Sequence, residues 1–415
     1  MGDDLETDNL DLVIRASRMV CAATGLDGPG VIGVRDGLIA FVEPGLVDGE
    51  LPAARETLVV DDGVLLPGLV DLHAHPALSG SKFGIDPDVC LLPRGSTTVL
   101  SQGDAGARNL DKYIPETIQG VRTRVKLAIN FCAEGESNPL GRFFSLDEAS
   151  VDECVAAIER GGSNVWGISL NIALIRGEGI DPLEVMRRGI RAAGKSGKPV
   201  IFGATKTADV PLADQLALLR PGDLMTYCFY SGDGSIVEDG RVLSSVWEAR
   251  ERGVLFDVGD GATAFGFDVA EIAVSEGFTP DTISTDYYRH HFVEEPDHDV
   301  SHVVSKMIAV GMMAEECWPL VTSVPALVLG LGDEIGRLAV GAAADFCVVR
   351  SGDGVESMVD GAGEVRSGVR WRAVDVVKGG VAGGWATFSR LWGVGWDVEL
   401  LVGWAWLPRR RASSQ

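Results

Sequence analysis

From about residue 68 to about residue 330, short apolar runs alternate with amphipathic stretches of helical period. The apolar runs are "STTVLSQGDAG", "VRTRVKLAINFC", "NVWGISLNIA", "GKPVIFGAT", "GDLMTYCFY", "GVLFDVGDG" and "DTISTD". Between them lie helix-like segments such as "SLDEASVDECVAAIERGG" and "DPLEVMRRGIRAAGKSG". Ser145, followed by Asp147 and Glu148, marks the start of the first, because a serine oxygen and early acidic residues satisfy and complement free N–H groups. Gly197 marks the end of the second. Strand–helix alternation of this extent predicts a parallel sheet with helices outside, and at about 250 residues a closed (β/α)8 barrel of the TIM type.

The flanks read differently. Residues 10–66 are short β-like runs separated by Gly, Pro and Asp turns, and "IGRLAVGAAADFCVVR" near residues 335–350 returns to that texture. The expected class is therefore α/β: a (β/α)8 TIM-like barrel over 68–329, with a small β-sandwich domain built from both ends of the chain, residues 1–67 and 330–384. Residues 385–415 form an atypical tail. It holds Trp385, Trp392, Trp396, Trp404 and Trp406 out of nine tryptophans, then Arg409 to Arg411. An apolar tail packed on the small domain or a subunit interface, or a non-native extension, accounts for it better than a membrane-surface role.

Composition narrows the partners. Hydrophobic residues make up 46% of the 415, enough for a large core. A net charge of −24 repels nucleic acid and anionic membrane surfaces, so neither is expected as a partner. The seven cysteines are scattered without a CxxC pair, which fits buried thiols in a reducing compartment. The acidic start lacks a signal-peptide core, and no apolar run reaches the roughly 20 residues of a membrane span. The expectation is a cytoplasmic protein acting on a small molecule, with a homo-oligomer open. Gly28, Gly30 and Gly33 match GxGxxG, but they run into "VRDGLIAFV", a strand closing a hairpin and not a helix, so a dinucleotide site is not expected.

Two of the six histidines stand in "LVDLHAHPAL". Residues two apart on a strand face the same side, so His73 and His75 point together. At the C-terminal end of a first barrel strand that side is the barrel mouth, where such folds place their chemistry. Paired imidazoles there suit zinc or a similar borderline metal.

"LPGLVDLHAHP" resembles the signature of the amidohydrolase superfamily. "GIDPDVCLLPRGSTTVLSQGDAGA", "LLRPGDLMTYCF", "GVLFDVGDGATAFGFDVAEIAVSEGFTPDTISTD" and "IGRLAVGAAADFCVV" resemble its amidohydrolase/deacetylase metallohydrolase branch, related to dihydroorotases and D-aminoacylases. The resemblance covers roughly residues 10–350. It implies a (β/α)8 barrel with a small β domain, and hydrolysis of amide or ester bonds of small molecules with one or two divalent metals.

It also implies a ligand set that this chain keeps only in part. The HxH falls on His73 and His75, and the eighth-strand aspartate, a ligand and general base, on Asp286 in "ISTDYY". The bridging lysine falls on Ser169. The two middle histidines fall near Gly203 and on Tyr227, and a further one on Asp260. Serine cannot form the bridging carbamate, so a mononuclear centre of His73, His75 and Asp286 is the expectation. It would hold one Zn2+, with Mn2+, Fe2+ or Co2+ as alternatives and an empty site as the counter-case. Asp286 and Asp260 are the candidate catalytic carboxylates. Tyr227, His290 and His291 are candidate auxiliary ligands, and Lys82, Arg108 and Arg289 candidate anchors for a substrate carboxylate. The alternative to a metal hydrolase is a metal-poor or metal-free barrel with non-hydrolytic chemistry or a binding role.

Overall fold

The protein is described as a computed structural model over residues 9–45, 49, 51–173, 175–205, 209–294 and 298–383. The expectation for the 385–415 tail lies outside those residues.

Two sheets carry the architecture. The first is mixed and draws its strands from both ends of the chain. They are β1 (Leu10–Cys21), β2 (Leu26–Arg35), β3 (Leu38–Pro44), β4 (Ala54–Val60) and β5 (Val64–Pro67) from one end, with β15 (Phe346–Val359), β16 (Val365–Lys378) and β17 (Val381–Ala382) from the other. The order is β17-β16-β15-β5-β1-β2-β3, with β4 paired to β1. Gly28, Gly30 and Gly33 lie inside β2, which pairs antiparallel with β3, and no helix follows them. A Cβ at Gly33 would stand 2.1 Å from the Phe41 ring, so close packing across the hairpin explains that glycine.

The second sheet is parallel, in the order β14-β11-β10-β9-β8-β7-β6. Its strands are β6 (Leu69–Ala74), β7 (Ser96–Gly106), β8 (Arg124–Asn130), β9 (Val165–Asn171), β10 (Val200–Gly203), β11 (Leu224–Met225) and β14 (Leu255–Phe256). A small antiparallel pair, β12 (Val237–Glu238) and β13 (Arg241–Val242), sits in the connection before β14. Residues 282–287 lie between its two edges. Thr282 bridges Asp257 in parallel on one side, and Tyr287 bridges Ala74 in parallel on the other. Val258 and Asp260 donate N–H bonds to the carbonyls of Thr282 and Ser284, and His75 donates to that of Tyr287. The fold is α/β and TIM-barrel-like.

Side-chain period explains both faces. β6, β7 and β9 are covered on both sides and buried along their whole length, with polar residues among the apolar ones. Val70, Leu72, Leu100, Ala128, Trp166, Ile201 and Leu224 form one interior cluster. Their neighbours Leu127, Ile129, Ile168, Leu170 and Phe202 pack outward in the core that includes helix residues Ile158, Val185 and Met186. Two residues further along, period two brings Gln102, Asn130, Gly203 and Thr226 onto the interior face. The lining thus turns from apolar to polar at the C-terminal ends of the strands.

The helix boundaries refine the sequence reading. Ser145 caps only a short turn, Leu146–Glu148. The helix proper is Val151–Gly161, and its cap is Ser150, whose Oγ accepts from the Glu153 N–H. Gly197 closes helix Pro182–Ser196 in the left-handed conformation, as its position predicts. All seven cysteines are buried thiols. No helix of the described residues is long and apolar enough to cross a membrane.

Candidate metal centre

His73 lies in β6, and His75 follows directly after it; both are buried. Asp286 lies in the segment that joins the sheet's two edges. Asp71, on the same strand as the histidines, ties the two elements together: its carboxylate accepts from the Thr285 hydroxyl at 2.6 Å and the Thr285 N–H at 3.1 Å. Asp286 Oδ1 is 3.1 Å from His73 Nε2 and 3.3 Å from His75 Nε2. The three ligand atoms all lie within 4.8 Å of one another, and this is the convergent His/Cys/Asp/Glu group found among the described residues.

Hydrogen bonds behind the triad fix which ring nitrogens carry protons. Asp257 accepts from three hydroxyls: Thr226 at 2.8 Å, Thr282 at 2.7 Å and Ser284 at 2.6 Å. Burial raises its pKa to about 6, and those bonds limit the rise. Because the Thr226 hydroxyl spends its proton on Asp257, it accepts at 2.8 Å from His73 Nδ1. His73 is therefore an Nδ1–H tautomer with its Nε2 lone pair turned to Asp286. Burial lowers its pKa to about 4, so the ring is neutral. His75 donates from Nδ1 to Asp104 Oδ1 at 3.1 Å, and Asp104 is itself held by the Ser81 and Ser101 hydroxyls. Carboxylate or hydroxyl partners behind each imidazole orient the Nε2 atoms as metal-binding sites require.

A cation fits this set. Asp286 Oδ1 is buried and has no hydrogen-bond partner. It faces a histidine lone pair at hydrogen-bond distance, and two acceptors held that close repel unless a positive charge lies between them. Backbone strain points the same way: Asp286 holds φ 49 and Tyr227 φ 62, left-handed values that cost a non-glycine residue of order 1–3 kcal/mol. Gly261 makes room, because a Cβ there would stand 2.8 Å from Asp286 Oδ2.

The chain is similar to proteins of known kind. No family model matches it. It is 30% identical over 336 residues to a protein named deacetylase Atu3266 from Agrobacterium fabrum, covering 80% of each chain. It is also 30% identical to a deacetylase from Brucella anthropi, over 80% of this chain and 81% of that one. The chain belongs to the amidohydrolase superfamily. It is an amidohydrolase-type hydrolase. Solved structures agree: one titled an adenine deaminase superposes with a TM-score of 0.80 at 26% identity, over 90% of this chain and all of its own. One titled a dihydroorotase gives 0.79 at 28% identity, over 90% and 98%.

Where this amidohydrolase departs from the ligand pattern, the structure shows what stands instead. Ser169 ends its hydroxyl in the interior without a hydrogen-bond partner. At Gly203 a Cβ would meet the Asn171 amide at 2.9 Å, so a histidine there requires Asn171 to move. The Tyr227 hydroxyl donates to Asp286 Oδ2 at 3.3 Å and lies 3.3 Å from His73 Nε2. It joins the triad as a hydrogen-bonding neighbour. Asp260 does not join it. Both its oxygens are bonded to Lys306 Nζ, at 3.0 and 2.8 Å, so the carboxylate proposed from sequence as a second catalytic group is committed elsewhere. His291 stacks on His298 at 4.0 Å and His290 is exposed, so neither replaces a missing ligand.

The anchors expected for a substrate carboxylate also have other work. Arg108 pairs with Glu134 and Glu153 on the surface, and Arg289 is exposed. Lys82 reaches Glu136 Oε2 at 3.5 Å and the Asn138 carbonyl at 3.2 Å. His75 and Asp286 open into a cavity of about 270 Å3 whose wall includes Gln102, Glu136, Arg142 and Asn171. None of these four, nor Asp71, Asp104, Thr226 or Asp257, was legible as a site residue; only the strand register that puts polar residues two beyond the apolar interior layer would have flagged Gln102 and Thr226.

The Nδ1–H tautomer of His73 depends on the Thr226 acceptor. Thr226→Val keeps the shape and removes the acceptor behind His73, and is expected to weaken metal affinity about 10- to 100-fold, measured by competition with a chromophoric chelator. Unchanged affinity would show that His73 is not oriented through Nδ1.

Proposed function

We propose that the chain hydrolyses an amide, cyclic amide or acyl bond of a small molecule with a single divalent cation, zinc in the first instance, held by His73, His75 and Asp286. The observation that carries this reading is the meeting of two oriented Nε2 atoms and an unbonded carboxylate oxygen within 4.8 Å. We further read the parallel sheet with residues 282–287 as a closed eight-stranded barrel over 68–329, and the mixed sheet as a small domain from 1–67 and 330–384.

When bound, the cation supplies Lewis acidity, which acidifies water and polarises a carbonyl. The protein's own groups do the rest. Asp286 accepts the proton of the attacking water and returns it to the leaving nitrogen or oxygen. Asp104 and Thr226 keep the two rings in place through that transfer. The Tyr227 hydroxyl, 3.3 Å from Asp286 Oδ2, stands beside the developing charge as a neutral donor. Burial keeps its pKa well above 10, so it holds its proton.

The number of metal ions tests the reading. Ser169 and Gly203 offer no strong ligand, so protein purified without added metal and then reconstituted should bind about one equivalent, not two, by elemental analysis. Hydrolysis across an N- and O-acyl panel should vanish with chelator and return with zinc. The counter-reading rests on His75. Burial alone would lower its pKa, but Asp104 and Asp286 together raise it to about 10, so a proton between two carboxylates can stand in for a cation. Under about a tenth of an equivalent bound after reconstitution selects that metal-free reading.

A further inference from the structure

Gln102 stands on the interior face of β7, in the wall of the cavity that His75 and Asp286 also line. Its residue exposure is 3%, and neither its amide nitrogen nor its amide oxygen has a hydrogen-bond partner. A buried primary amide with both ends unpaired loses the hydrogen bonds it had in water on two atoms at once. Such a group is uncommon in a core and is suited to binding, where a ligand restores both bonds.

The neighbouring charges decide what kind of ligand restores them. Arg142 is 3% exposed and Glu136 1%, and they meet at 2.5 Å. That contact offsets the guanidinium charge, and Lys82 stands on the other oxygen of Glu136 at 3.5 Å with its side chain partly in solvent. Arg142 Nε is buried without a hydrogen-bond partner, so the wall offers donors from Arg142 and Gln102 Nε2 beside an acceptor at Gln102 Oε1. A carboxylate set there would satisfy the donors and face the oxygens of Gln102 and Glu136. A neutral carboxamide satisfies both: its carbonyl accepts from an N–H of the wall, and its N–H donates to Gln102 Oε1.

We infer that this wall is a recognition subsite for a neutral carboxamide group carried by the substrate beside its scissile bond, with Gln102 as the specificity-determining residue. The inference rests on the hydrolase reading for what is cleaved, but not for what is bound. Discrimination at a site built to hydrogen-bond its ligand is large, because the wrong group leaves buried polar atoms unpaired.

Binding and cleavage are measured separately on the full zinc-loaded chain, with N-acetylglycinamide and N-acetylglycine as probes. They differ only in the terminal group. Calorimetric titration should show the amide binding at least about ten-fold tighter than the acid. In Gln102→Leu, which removes both the donor and the acceptor, that ratio should fall to about one; in the near-isosteric Gln102→Glu, which keeps an acceptor for the amide N–H and adds a negative charge against the acid, it should hold or widen, with folding checked by circular dichroism. A purely structural role for Gln102 would weaken both probes alike and leave the ratio unchanged. The inference is overturned by an acid that binds as tightly as the amide in the unmodified protein, by a ratio that survives Gln102→Leu, by a ratio that falls in Gln102→Glu, or by no amide binding at millimolar concentration. An amide that binds through Gln102 but is never cleaved leaves the subsite standing and counts against the hydrolase reading alone.

Discussion

Asp286→Ala is expected to abolish bound metal and to lower hydrolysis by at least about a thousand-fold. Asp286 Oδ1 is the one point that both Nε2 atoms reach, at 3.1 and 3.3 Å. Removing it takes away one of three ligands, the negative charge that draws the cation in, and the group that carries the proton. His73→Ala should have the same effect on occupancy, since a third ligand is lost from a set with no spare. Asp286→Asn separates the roles. An amide oxygen ligates weakly and cannot accept a proton, so some metal is retained while hydrolysis stays lost. Elemental analysis read beside the turnover of one substrate checks all three. Metal retained at full stoichiometry in Asp286→Ala would move the centre away from these residues.

The HxH-to-aspartate frame was legible because strand geometry leaves little freedom. Residues two apart on a buried strand share a face, and residues 282–287 bridge to both edges of the parallel sheet. His73, His75 and Asp286 are in place for those reasons. The partner of Asp260 was not legible because it lies 46 residues away: nothing in "DVGDG" announces that Lys306, on a helix after residues 282–287, takes both oxygens. The same holds for Arg142 and Glu136, which sit in a connection where neither period nor motif constrains side-chain direction. The residues that fix tautomers, Thr226 and Asp104, look in sequence like ordinary strand-end polar residues. Their role follows from who donates to whom, which only coordinates reveal. Burial also decides the loop histidines, which no period in the sequence orients: His291 and His298 are buried and stacked, and His298 Nε2 donates to the Thr285 carbonyl next to Asp286.

Lys306→Met should destabilise the fold by about 3–5 kcal/mol, the loss typical of stranding one member of a buried ion pair. Asp260 is fully buried, and burial already pushes its pKa up against the pull of Lys306. Without the ammonium its carboxylate is left uncompensated and takes up a proton instead. The destabilisation is read as a drop in the midpoint of urea unfolding. Because most of that loss is the stranded charge and not the pair's own worth, Lys306→Met combined with Asp260→Leu should recover at least half of it. The double variant also settles what Asp260 does. Its oxygens are held by Lys306, and the cavity wall passes through Tyr227, Asp286 and the Ala262–Ala264 backbone without it. Hydrolysis in the double variant should therefore stay within about ten-fold of the unmodified protein, far from the thousand-fold loss that removing a proton carrier brings. A double variant that refolds but is inactive would return Asp260 to the catalytic set.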